Sequence, residues 1–239
     1  FDPTQRYALS YDVVPATAAA MNVNLDADAE LDYAEMIDQQ YTTLFVGTAT
    51  WRAGSAGVTC TPGDSEFEQL PKTVHFRLGF KTPTTYGNCQ NPDNDPAEPL
   101  SINEEHLRGV QTISNRAVTV QLTVHTDHPF WDSPVHDAPM HFDQIAARYV
   151  GSAGTPTARV EDFAGVDYTH FTDAAGNPLR WRNCLGPLYN PPDSGTMHFF
   201  PAGHVFVDYA SFMTYNVGTA GHLNSDGLCA VQRNYPSPL

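Results

Sequence analysis

Nineteen prolines and seventeen glycines punctuate this chain of 239 residues. That punctuation limits how far any helix can run, because proline removes a backbone donor and glycine raises the entropy cost of ordering. Between the breaks lie short runs rich in β-branched and aromatic residues. Tyr41–Trp51 holds Leu44, Val46 and several threonines, and Thr73–Phe80 alternates Val74, Phe76 and Leu78 against His75 and Arg77. Ala117–Val124 places Val118, Val120, Leu122 and Val124 at every second position, and His204–Val217 is rich in Val, Phe and Tyr. Met140–Tyr149 reads as a weaker strand. Short runs of this kind, bounded by Gly, Pro, Asn and Asp, predict a mostly β chain. The expected architecture is an antiparallel β-sandwich, jelly-roll or Ig-like, with long irregular loops and one or two short helices.

Helix signals are few. Ser101–Val110 has Ser101 as an N-cap and Glu104 three residues on, the capping-box spacing. Tyr33–Tyr41 reads as helix or strand. Thr82–Pro99 and Gly186–Gly203 read as long loops, and Asp173–Pro178 as a turn. Hydrophobic residues make up 41% of the chain, enough for a sizeable core. One β-rich domain over residues 1–239 is expected, with a boundary near Gly151–Gly154 as the alternative.

Four cysteines, Cys60, Cys89, Cys184 and Cys229, are isolated from one another, so no C-x-x-C metal, redox or haem motif exists. Two disulfides are expected. Three connectivities are open, and the pairing Cys60–Cys89 with Cys184–Cys229 is preferred because each bridge closes one local segment. The chain begins with Phe1 and carries no basic stretch followed by an apolar one, which fits a processed N-terminus. No apolar run approaches the roughly 20 residues of a membrane helix. The expected location is therefore secreted, periplasmic or cell-surface, without membrane insertion. The net charge of −15, with only twelve Lys and Arg, repels phosphate backbones and excludes a nucleic-acid partner by the ordinary electrostatic route. It suits a metal ion, or a protein partner with a basic face.

The densest chemistry lies between Val124 and His141, which contains His125, His128, His136 and His141 together with Asp127, Asp132 and Asp137. Neutral imidazole and carboxylate are good ligands for zinc, copper or iron. A hairpin with His125 and His128 on one arm would return His136 and His141 to the same rim. The carboxylates would orient ring N–H groups or add ligands. His198, His204 and His222 are candidate distant ligands. Trp131 and Met140 lie in the same segment; the former is expected to pack on the core. The spacing is not H-E-x-x-H, so no metalloprotease helix is implied.

Calcium is less favoured. The run Asp26–Asp32 carries carboxylates at every second position, but Leu31 and Ile37 stand where an EF-hand needs Gly and Glu, so a solvated strand face is expected there. Asp93 and Asp95 are weaker calcium candidates. Gly54–Gly57 does not form a nucleophile elbow, and no phosphate-binding glycine motif is present. Three readings follow: a metal-binding protein, a structural or interaction module without catalysis, and a metal-dependent enzyme in which Asp127, Asp132 or Asp137 acts as base. They rank in that order. The chain itself leaves the metal and the oligomeric state open.

Overall fold

The computed structural model describes residues 1–50, 70–91, 108–131, 140, 142–166, 208–224 and 227–233. The chain divides into two compact units, each assembled from separate segments. Residues 1–44, 80–128 and 216–239 form the first, and residues 45–79 and 129–215 the second.

Among the described residues the first unit holds three small antiparallel sheets. Strand β1 (Arg6–Tyr7) pairs with β6 (Val110–Gln111). Strand β5 (Thr84–Gly87) lies between β2 (Tyr11–Val13) and β11 (Ala230–Arg233). Strand β9 (Gly221–Leu223) lies between β7 (Leu122–Val124) and β10 (Gly227–Leu228). The stretch expected as loop from Thr82 onward therefore contains a central strand. Its Thr84 and Tyr86 side chains are buried, which the proline and glycine density around them obscured.

Strand β11 runs beside β5, with Ala230 opposite Gly87, and this pairing carries Cys229 to Cys89. The two form a disulfide across 140 residues of sequence. The expected local pairing is thus corrected for both cysteines: sheet register, not proximity along the chain, chooses the partner. Cys60 and Cys184 lie outside the described residues.

The helix Ala27–Gln39 also belongs to the first unit. The Asp26 carboxylate accepts from the Ala29 N–H at 2.8 Å, and Asp28 and Glu30 occupy the first turn. There they oppose the positive end of the helix dipole. The alternating acids are thus a helix N-terminus, not the expected strand face. The helix ends at Gln40, in the left-handed region at φ 58°. Tyr41 N–H reaches back to Met36 O at 2.9 Å and Gln40 N–H to Ile37 O at 3.3 Å, a Schellman closure.

The second unit is built on the sheet β3–β4–β8, of β3 (Thr43–Thr50), β4 (Thr73–Phe80) and β8 (Thr157–Ala158). Val74 and Leu78 are buried and His75 exposed, the alternation expected of β4. Two expected strands are helices instead. Residues Asp143–Ala147 form one, with Ile145 and Ala146 buried. Residues Tyr209–Val217 form the other, whose last two residues belong to the first unit. In the latter, Tyr209, Phe212, Met213, Tyr215, Asn216 and Val217 are buried, so the helix is covered on more than one face. Asp208 starts it by accepting from Ser211 N–H at 2.8 Å. Aromatic and β-branched composition suggested strand, but the segment that follows the Asp208 cap is helix.

Of the expected run Ala117–Val124, only Leu122–Val124 is strand. The expected helix over Ser101–Val110 lies mainly outside the described residues, and its last residue belongs to β6. Strand-rich structure is present as these small sheets, and the described strands do not delineate a two-sheet sandwich.

Candidate metal centre

The site begins with the register of β7 on β9. Leu122 lies opposite Leu223, Thr123 opposite His222 and Val124 opposite Gly221. The His125 N–H donates to Ala220 O at 2.9 Å, which carries the ladder one residue further. Side chains alternate along a strand, so Thr123 and His125 share a face. His222, opposite Thr123, lies on that face diagonally across from His125. The two imidazoles stack, with ring centroids 4.0 Å apart and planes 15° from parallel. The alternation puts Leu122 and Val124 on the other side, where each is 51% exposed. At Leu122 and Val124 the apolar alternation therefore marks an exposed side.

Glycine at 221 is required by what stands beside it. A Cβ there would meet the Tyr11 hydroxyl at 2.5 Å and the Tyr86 ring at 2.6 Å. Tyr11 and Tyr86 stack at 5.0 Å, and the Tyr11 hydroxyl donates to His222 O at 3.2 Å. This hydroxyl is desolvated, and the neighbouring Tyr86 adds to the effect, so its pKa rises well above the ordinary tyrosine value and it stays a donor. The backbone of β9 is thus held at His222 itself.

His128 enters by a different route. After His125 the chain turns into the 3-10 segment His128–Phe130. His128 Nδ1 lies 3.1 Å from Asn216 O and 2.7 Å from Thr219 Oγ1, at the end of the helix Tyr209–Val217. That helix end is closed by Thr219, whose N–H and hydroxyl both donate to Asn216 O, at 2.9 and 2.7 Å. The His128 ring stands 5.6 Å from each of the other two imidazoles and nearly perpendicular to both, at 88° and 89°.

One nitrogen from each of His125, His128 and His222 falls within 4.8 Å of the others. His128 and His222 are fully buried and His125 is half-buried. Such a group can hold a metal ion. Tetrahedral zinc with bonds of about 2.0–2.1 Å places its ligand nitrogens about 3.4 Å apart, so the triad would have to close by up to about 1.4 Å, and a fourth position would stay open. The donor set is all imidazole, which suits zinc, copper or iron and disfavours calcium and magnesium, whose ligands are oxygens.

Of the residues expected to bind, the structure brings together His125 and His128, and adds His222, expected only as a distant ligand. Asp127 is half-buried and falls outside the group. His136, His141, Asp132, Asp137, His198 and His204 lie outside the described residues, as do Asp93 and Asp95. Trp131 is buried in the core of the second unit, as expected. Asn216 and Thr219 carried no signal in the sequence, since their contact with His128 arises only where a helix ends. No family model, characterised protein or solved structure shows a significant match to this chain.

Proposed function

We propose that this is an extracytoplasmic metal-binding protein that holds one zinc, copper or iron ion on His125, His128 and His222. The carrying observation is the convergence of three imidazoles from distant parts of the sequence within 4.8 Å, two of them fully buried. Three imidazoles gathered this closely are a donor set that a shared transition-metal cation would complement. The Cys89–Cys229 disulfide supports an oxidising compartment. Among the described residues no helix is long and apolar enough to cross a membrane. The formal charge of −15 favours accumulation of cations near the surface.

The test is elemental analysis of protein reconstituted with zinc, copper or iron and then desalted, beside His125→Ala and His222→Ala variants. The expected result is one equivalent bound in the parent and loss in both variants. A parent that retains no metal after reconstitution, or variants that retain it fully, would overturn the reading.

A second reading, an interaction module without catalysis, draws on β7. Among the described strands it lies at a sheet edge, and its Leu122 and Val124 are half exposed, with Val118 (39%) and Ile113 (55%) also exposed. Such edges pair with other chains. Concentration-dependent self-association, abolished by Val124→Lys, would favour it.

A further inference from the structure

The contacts of His128 carry an inference that rests on the metal-binding reading and goes one layer deeper. We propose that Thr219 and the Asn216 carbonyl are a positioning pair: they lock His128 as the tautomer protonated on Nδ1 and so present Nε2 as its metal ligand.

The argument follows from who can donate. The Asn216 carbonyl only accepts, so a hydrogen bond to it from His128 Nδ1 at 3.1 Å requires a proton on that nitrogen. Thr219 Oγ1, 2.7 Å from the same nitrogen, has one hydrogen and spends it on Asn216 O at 2.7 Å. Its lone pairs then face Nδ1. Both contacts demand the same proton, and the Nδ1–H is shared between two acceptors.

The helix reinforces the choice. Asn216 lies in the last turn of Tyr209–Val217, at the negative end of the helix dipole, which favours a donor there. Neutral imidazole protonated on Nδ1 has its lone pair on Nε2, which is the form a metal needs. His128 Nε2 is buried from solvent. Because β9 begins at Gly221, just after Thr219, the same turn that orients His128 also delivers His222 to the site.

The test uses the full chain with nitrogen-15-labelled histidine. In the metal-free protein, long-range proton–nitrogen correlation reads the His128 tautomer directly. Zinc affinity is read in parallel by chelator competition on the parent, Thr219→Val and Thr219→Ser. The expected result is an Nδ1–H pattern in the parent. Thr219→Val is expected to show a mixed tautomer population and zinc affinity weakened about 10- to 100-fold, as for loss of an orienting partner. Thr219→Ser restores the hydroxyl and is expected to restore both the pattern and the affinity to within about threefold. An Nε2–H pattern in the parent overturns the proposal, and so does Thr219→Val binding zinc as tightly as the parent. If the parent binds no zinc, the metal reading fails. The tautomer pattern alone then decides the positioning role, and a Thr219→Val variant too unstable to read leaves Thr219→Ser and the parent pattern to decide it.

Discussion

Replacing Gly221 by alanine probes the contact that holds the candidate site in place. The new methyl carbon would stand 2.5 Å from the Tyr11 hydroxyl and 2.6 Å from two atoms of the Tyr86 ring. Tyr86 cannot swing away freely. It is 4% exposed, lies on the central strand β5, stacks on Tyr11 and bonds the Val217 carbonyl at 3.5 Å. Ordinary carbon contacts need about 3.5 Å, so β9 must retreat by about 1 Å. Overpacking of that order costs about 1–3 kcal/mol. Alanine returns about 0.5–1 kcal/mol, because it loses less freedom on entering a strand. The net expectation is a loss of about 0.5–2 kcal/mol, a factor of about 2–30 in the folding equilibrium. Urea unfolding, with the disulfide intact and chelator present, measures it as a lower midpoint at unchanged slope. The same retreat displaces His222, so zinc affinity falls as well, since sites of this kind tolerate only about 0.5 Å of misplacement. A midpoint equal to or above that of the parent would refute the steric reasoning.

Three further predictions follow from other parts of the structure. Digestion without reduction should yield a peptide linking Cys89 to Cys229, and Cys89→Ser with Cys229→Ser should lower stability by up to about 4–5 kcal/mol, the chain-entropy value for so long a loop. Mass spectrometry showing Cys89 joined to Cys60 would contradict the register of β5 with β11. At Asp208, burial pushes the carboxyl's pKa up, but hydrogen bonds from the Gly165 and Ser211 N–H groups and from the Ser211 side chain outweigh it and hold the pKa below the ordinary value. The stabilisation is therefore present above about pH 4 and is lost as pH falls through the lowered pKa. Asp208→Ala should cost about 1 kcal/mol at pH 7, with the gap to the parent narrowing in acid; a gap constant down to pH 2 would count against this. Bound metal should be retained near pH 7.5 and released by about pH 5, because protons compete for imidazole. Full retention well below that range speaks against histidine ligation.

Much of the local structure was legible in the chain itself. The alternation of Val74, Phe76 and Leu78 marked β4, because period two is a property of the strand alone. The isolated cysteines pointed to a disulfide, and the clustered histidines His125 and His128 to an imidazole-rich site. Where local signals conflicted, the reading went astray in a consistent way. Tyr209–Val217 has a strand-like composition, yet it forms a helix that starts at the Asp208 cap. The alternating acids after Asp26 resemble a strand face, yet they complement a helix dipole.

The tertiary structure decided everything that depends on residues far apart meeting. Cys89 meets Cys229 because β11 pairs with β5 in one register, and no spacing along the chain encodes that choice. His222 reaches His125 because β9 pairs with β7, and a register slip of one residue would turn its ring to the opposite face. His128 acquires its Nδ1 acceptors only because a helix ends at Asn216 and Thr219 closes it. The sequence supplied the donor types and the periodicities of the elements that carry them. Which donors share a site is a matter of strand register and helix termination, and both are settled by packing across the whole unit.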